Sequence, residues 1–288
     1  MILVDLNQVM ISNLMMQIGN KKNVPIEEDL VRHMVLNSLR GYKTRFGEKY
    51  GQLVLCCDDK QYWRRDIFPY YKANRKKDRK ASGYDWHAIF DTIRLVKEEI
   101  KENFPYKVIQ VDHAEADDII GTICHHHGQI KLNGHASENI LILSGDKDFV
   151  QLQKYANVEQ YSPVQKKFIR VSNPAAFIAE HIMKGDRGDG VPNFLSADNT
   201  FVTESRQRPL TSKKLNAWVC MSPEEFCNEE MLRGYKRNQQ LVDLDYIPQD
   251  IQDQVLDQYN NQVPVRGKLM NYFMKHRLRN LMDNIGDF

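Results

Sequence analysis

The residues in this chain with the clearest chemical potential are acidic, and they follow apolar runs. Ile140-Leu141-Ile142-Leu143 stops at Ser144-Gly145 and gives way to Asp146 and Asp148. The pattern recurs. Ile2-Leu3-Val4 runs into Asp5, and Leu53-Val54-Leu55-Cys56-Cys57 into Asp58. Val108-Ile109-Gln110-Val111 leads to Asp112 and then Glu115-Ala116-Asp117-Asp118. One such loop would be an ordinary helix cap. Several of them carry more meaning, because the downstream ends of parallel strands share one edge, where open α/β sheets bind ligands. Carboxylates gathered there repel, and they take up protons unless a cation compensates them. Oxygen-only donors favour a hard cation, magnesium or manganese.

The elements that must position these acids can be read from the same patterning. Short, fully apolar runs are the signature of buried parallel strands. A short polar stretch follows the first strand. Residues 26–46 then read as a helix, with Leu30, Met34, Leu36 and Leu39 as its apolar stripe. A second helix spans about 85–103, with Phe90, Ile93, Val96 and Ile100 turned inward. A third opens at Glu115, where Glu115 and Asp118 share a face and Ile119 and Ile120 pack. Residues 157–161 read as a fifth strand.

Beyond Pro174, which starts a helix to about Lys184, the pattern becomes mainly helical. Residues 194–215 lack periodicity and read as a long loop with basic tips. Ser222-Pro223 starts another helix, and residues 241–248 form a link. From about Arg266 a single amphipathic helix is expected, with Met270, Met274, Leu278, Leu281 and Ile285 along one side. It either closes the core or serves a partner. The fold class is therefore α/β, a mainly parallel central sheet flanked by helices, with a smaller, mostly helical C-terminal region. The expected division is 1–180 and 181–288.

Two further stretches stand out. Residues 60–80 carry Lys60, Arg64, Arg65, Lys72, Arg75, Lys76, Lys77, Arg79 and Lys80 against only Asp66 and Asp78, interleaved with Tyr62, Trp63, Phe68, Tyr70 and Tyr71. Cations bind phosphates and aromatic faces can stack on bases, so the run as a whole points to nucleic acid. Most of its aromatics fit a core equally well. In Gly185-Asp186-Arg187-Gly188-Asp189-Gly190 the glycines either bring amides close to a phosphate or simply shape an interhelical loop.

The chain has 288 residues, 42% hydrophobic and 27% charged, with a net charge of +2 that conceals segregated acids and bases. No apolar stretch approaches the ~20 residues of a membrane span, and the start lacks a signal-peptide pattern. Five cysteines without a CxxC pair suit a reducing cytoplasm. Consecutive histidines His125-His126-His127 point different ways on a helix, and no cysteine stands at ligand spacing, which argues against zinc.

Taken together and in order, Val54-Leu55-Cys56-Cys57-Asp58, Tyr62-Trp63-Arg64-Arg65, Tyr70-Tyr71-Lys72-Ala73-Asn74-Arg75, Glu115-Ala116-Asp117-Asp118, Gly145-Asp146-Lys147-Asp148-Phe149 and Lys184-Gly185-Asp186-Arg187-Gly188-Asp189 resemble the flap endonuclease / 5′-nuclease family, in the form it takes in T-even-type bacteriophages. The likeness extends to Tyr246-Ile247-Pro248, Arg266-Gly267-Lys268 and the final Phe288. It implies a PIN-like nuclease core with a basic arch at about 60–80 and a helix–three-turn–helix in the C-terminal region.

The resemblance also implies roles. Asp5, Asp58, Glu115, Asp117, Asp146 and Asp148 would hold two magnesium ions, which manganese could replace. Asp118 is grouped with them, as are Asp186 and Asp189 of the helix–three-turn–helix. Lys72 and Arg75 match the basic pair above the metals, and Arg64 an arginine near the substrate. Arg65, Lys76, Lys77, Lys80, Gly185, Gly188 and Gly190 would touch nucleic acid. One departure is that Val191-Pro192-Asn193-Phe194-Leu195-Ser196 replaces the second, glycine-rich hairpin of bacterial and eukaryotic relatives.

The implied activity is 5′-to-3′ nuclease action on RNA primers, adjacent DNA and flaps during lagging-strand replication. The substrates would be RNA–DNA hybrid and flap or nicked duplex. A single-stranded-DNA-binding protein and a sliding clamp would be replisome partners. The protein would be a monomer in the cytoplasm of an infected bacterial host. Two rival classes are a non-catalytic DNA-binding protein and a haloacid dehalogenase-type phosphatase; the latter needs a second aspartate where this chain has Asn7.

Overall fold

The computed structural model describes residues 1–19, 26–129 and 138–288. Its centre is a six-stranded sheet of β1 (Ile2–Asp5), β2 (Leu53–Cys56), β3 (Lys107–Ile109), β4 (Ile140–Leu143), β5 (Val158–Ser162) and β6 (Lys167–Ile169), in the order β3-β2-β1-β4-β5-β6. All neighbours run parallel except β5 and β6. Leu3 pairs with Val54 on one side and Ile142 on the other. That register brings the downstream ends of β1, β2 and β4 level. These three strands are buried along their whole length, which is why their sequences do not alternate.

Both faces are covered. α1 (Leu6–Ile18), α2 (Glu28–Tyr50), α3 (Arg64–Ile67), α4 (Asn74–Ser82), α5 (Trp86–Asn103) and α6 (Ala116–Gln129) come first. α7 (Pro174–Lys184), α8 (Ser212–Trp218), α9 (Pro223–Phe226), α10 (Glu229–Val242), α11 (Gln249–Asn261), α12 (Leu269–Lys275) and α13 (Arg279–Met282) follow. Ile2 and Val4 of β1 face the core formed with α1, α2 and α5, while Leu3 faces the core formed with α6 and α11. This is the two-residue alternation of a strand covered on both sides. A third core joins Phe68 and Tyr71 from the basic stretch to Ile182, Met183, Val191, Phe194, Tyr235 and Leu241.

Four expectations change. The polar stretch after β1 is the helix α1. Asp5 caps it by accepting from the Gln8 amide at 3.0 Å, and Leu6, Val9, Met10 and Leu14 are buried under a polar-looking sequence. A sixth strand, Lys167–Ile169, returns antiparallel at the edge. The expected long loop of residues 194–215 gives way at its end to α8, residues 212–218, capped by Thr211. The C-terminal helix is broken, with Arg277 at φ +54 between α12 and α13. Tyr272 and Phe273 turn inward around Phe104, which leaves Met270 and Met274 of the expected stripe exposed, while Leu278 and Leu281 are buried as expected.

Candidate functional site

The acids meet at the downstream edge of the sheet. Asp5 ends β1, where its other oxygen accepts from Ser144 Oγ at 3.2 Å. Asp58 follows β2 and is held by Asn7 Nδ2 at 2.7 Å and by the Ala116 amide, at the start of α6, at 2.8 Å. Asp146 caps the 3-10 turn Lys147–Lys154 by accepting from the Asp148 amide at 3.0 Å. Asp117, in the first turn of α6, faces Asp146 and Glu115.

The electrostatics follow from that crowding. Burial, with Asp58 and Asp146 nearby, pushes the Asp5 carboxyl up to about 7. Burial and Asp148 raise Asp146 to about 6. Burial, Asp146 and Glu115 raise Asp117 well above the usual range, and burial raises Asp58. Each of these groups lacks enough positive charge to ionise freely. The donors are carboxylate oxygens, so the set fits hard divalent cations.

A second group lies beside the first. The Asp148 carboxylate contacts His181 Nε2 at 2.8 Å, and Asp186 Oδ2 lies 3.9 Å from the same nitrogen. Among the described residues, Asp148, His181 and Asp186 present ligand atoms all within 4.8 Å of one another. Sequence reasoning missed His181; its position near the end of α7, five residues before Asp186, was the only available signal. His125 lies apart and pairs with the Tyr155 hydroxyl at 3.0 Å.

Cations close the site from the arch side. Lys72 Nζ bonds Glu115 and lies 3.7 Å from Asp189, while Arg75 donates to Asp189 Oδ1 at 2.6 Å. Tyr71 donates its hydroxyl to Glu115 and Asp189, both at 2.9 Å, a second link the sequence did not signal. Burial alone would raise the Asp189 carboxyl, but Lys72 and Arg75 outweigh it and hold it low. Lys72 and Arg75 do not share a helical face, as their spacing suggested. Lys72 has φ +55 and precedes α4, with its amide bonded to the Asp189 carbonyl at 2.7 Å. The arch thus grips, through its backbone, the hairpin of residues 185–191 that an Asp186–Val191 bridge closes.

Three further expectations are redirected. Arg64 is 2% exposed. It donates to the Leu241 carbonyl, Glu115 and Asp118, so it braces the acids from beneath rather than reaching a substrate. Asp118 is fully buried, with Arg64, Trp63 Nε1 and the Glu115 amide around it, which turns it away from the other acids. The amides of Gly185, Gly188 and Gly190 donate within the hairpin, to His181 O, Asp186 Oδ1 and Arg187 O. Packing therefore explains these glycines better than a phosphate cradle. Gly185 has φ +67, and a Cβ there would meet the Val191 carbonyl at 2.4 Å.

On the outer side, Arg65, Lys76, Lys77 and Lys80 are exposed. Among the described residues, Lys77 pairs with Glu204, while Arg65, Lys76 and Lys80 have no carboxylate partner. A cavity of about 660 Å³ lies beside Lys77, lined also by Asn74, Asp78, Arg187, Glu204 and Arg206.

Known proteins resemble this chain in sequence and in fold. The family described as "5'-3' exonuclease, N-terminal resolvase-like domain" matches residues 2–181, and "T4 RNase H, C terminal" matches residues 173–288. The chain is 34% identical to the Ribonuclease H of Enterobacteria phage T4, over 99% of this chain and 95% of that one. Among solved structures, a bacteriophage T5 flap endonuclease in a pseudo-enzyme–product complex with DNA and metal ions aligns at TM-score 0.59 and 18% identity, covering 90% of this chain and 97% of that one. A T5 5′-exonuclease with bound zinc aligns at 0.57 and 19%, covering 90% and 98%. These two likenesses are of fold.

Proposed function

The chain belongs to the 5′-3′ exonuclease family, and from that premise we propose that it is a divalent-metal-dependent 5′-to-3′ exonuclease and flap endonuclease that removes RNA primers and adjacent DNA during replication. The observation that carries this reading is the convergence of Asp5, Asp58, Asp117 and Asp146, whose carboxyls sit above the usual range. Asp5, Asp58, Glu115, Asp117 and Asp146 would hold one magnesium ion, and Asp148, Asp186 and Asp189 a second. When bound, such ions supply Lewis acidity and offset charge on a phosphodiester.

The chain's own groups do the rest. Ser144 and the Gln8 amide orient Asp5, and Asn7 with the Ala116 amide orients Asp58. Lys72 and Arg75 lie over the acids, where their donors would meet the non-bridging oxygens of the scissile phosphate as its charge grows. Each is tethered to Asp189, so the substrate must compete for them. Arg65, Lys76 and Lys80 would follow the phosphate backbone outside the site. Residues 1–180 would supply most of the metal ligands and the cations above them, and 181–288 would add Asp186 and Asp189 together with the grip on duplex, in the cytoplasm of a phage-infected host.

The test is a 5′-labelled flap and an RNA–DNA hybrid, each with magnesium or chelator. Asp146→Asn should cut at least about a hundredfold more slowly, because charge stabilisation at the phosphate is lost. Flap binding in calcium should persist or tighten. Unchanged cleavage would overturn the assignment of the site, and binding without any cleavage by the parent protein would make the chain a binder alone.

A further inference from the structure

We propose that His181 is a direct nitrogen ligand of the cation held by Asp148 and Asp186, which makes that site more receptive to transition metals than an all-carboxylate one. The inference rests on the metal-dependent reading above and concerns only the donor set of one ion. The His181 nitrogen is 2.8 Å from Asp148 Oδ1 and 3.9 Å from Asp186 Oδ2. Ligands about 2.1 Å from a common ion lie about 3.0 Å apart when adjacent and about 4 Å when nearly opposite. The imidazole nitrogen therefore stands at ligand spacing from each carboxylate, and the three ligand atoms all lie within 4.8 Å of one another.

The frame around them is stiff. His181 is 5% exposed and its ring packs against Phe177. The Gly185 amide closes α7 onto the His181 carbonyl at 2.8 Å, and the Asp186 carbonyl accepts from Val191 N at 2.7 Å. Gly185, at φ +67 with no room for a Cβ, lets the chain turn back tightly enough to bring Asp186 within 3.9 Å of His181 Nε2. Lys147 Nζ, 3.1 Å from Asp186 Oδ2, is half exposed and free to swing away.

An imidazole donor shifts preference away from magnesium and toward ions such as zinc, and affinity among transition metals rises from manganese to copper, with zinc below copper but above manganese. His181→Gln should therefore weaken zinc binding about tenfold or more and magnesium binding much less.

The experiment uses the untagged full chain loaded with manganese alone and read by electron spin-echo modulation. The expected result is a nitrogen modulation in the parent protein that changes on 15N-histidine labelling and vanishes in His181→Gln, with zinc and magnesium affinities by calorimetry as the second readout. His181→Asn serves if the glutamine variant does not fold. Manganese binding without nitrogen modulation, modulation that survives both variants, or equal loss of zinc and magnesium affinity would overturn the proposal and leave His181 as a hydrogen-bond donor to Asp148. Failure of any divalent ion to bind would remove the metal-dependent reading as well.

Discussion

Asp5 and Asp146 keep their protons at pH values where ordinary aspartates have lost them, near 7 and near 6. Between about pH 4 and these values the folded chain binds more protons than the unfolded chain, so metal-free stability falls as pH rises through that window. A divalent ion bound only by the folded state reverses the effect by mass action. Melting in chelator should drop by several degrees from pH 5 to pH 8, and millimolar magnesium should restore most of the loss at pH 8 but little at pH 5. Equal curves at both pH values in chelator would mean that the acids do not crowd. The acids themselves were legible because each follows an apolar run. The fate of Asp118 was not. It differs from Asp117 by one position on a helix, and only the partner waiting at that angle, buried Arg64, decides which carboxylate faces the site.

At the scale of elements, the basic stretch is two short helices joined by a turn, not one arm. Lys72 sits in the turn with its backbone bonded to the hairpin, and α4 carries the outward cations. Arg79 lies over the Trp86 and Phe90 rings, so it belongs to packing. Lys76 and Lys80 are exposed without ion-pair partners among the described residues, which suits phosphate contact. Each phosphate contact contributes about 0.9 to the slope of log affinity against log salt. Lys76→Ala with Lys80→Ala should lower that slope by about 2, in flap-binding titrations from low to physiological salt. An unchanged slope would place α4 away from the substrate. Here the sequence showed charge without geometry: the spacing of Lys72 and Arg75 suggested one helix face, and a positive φ enforced by contact with Asp189 removed it. The same limit hid α1, whose buried Leu6, Met10 and Leu14 are separated by polar residues; one of them, Asn13, donates to the Val9 carbonyl and accepts from Ser38 Oγ.

Across the whole molecule, packing crosses the expected division at 180/181. α11 lies on α6 and β3, with Gln262 accepting from Val108 N and Gln258 donating to the Gln110 carbonyl, both at 2.8 Å. Tyr272 donates to Glu99 at 2.7 Å, and Phe273 and Phe288 close around Phe104. Arg64 ties the arch to the Leu241 carbonyl of α10, to Glu115 of the site and to Asp118 beneath it. A boundary read from composition cannot show this, because the returning helices look like any other helices until their partners are known. Each of the three cores draws residues from both sides of the boundary. The full chain should therefore unfold in one transition, with calorimetric and van't Hoff enthalpies in a ratio near one. A fragment of residues 1–180 should lack that transition and expose the apolar faces of α6 and α5, binding a hydrophobic dye. Two resolved transitions in the full chain, or a cooperatively folded fragment, would show that the C-terminal helices are an appendage and that the site is held by the first region alone.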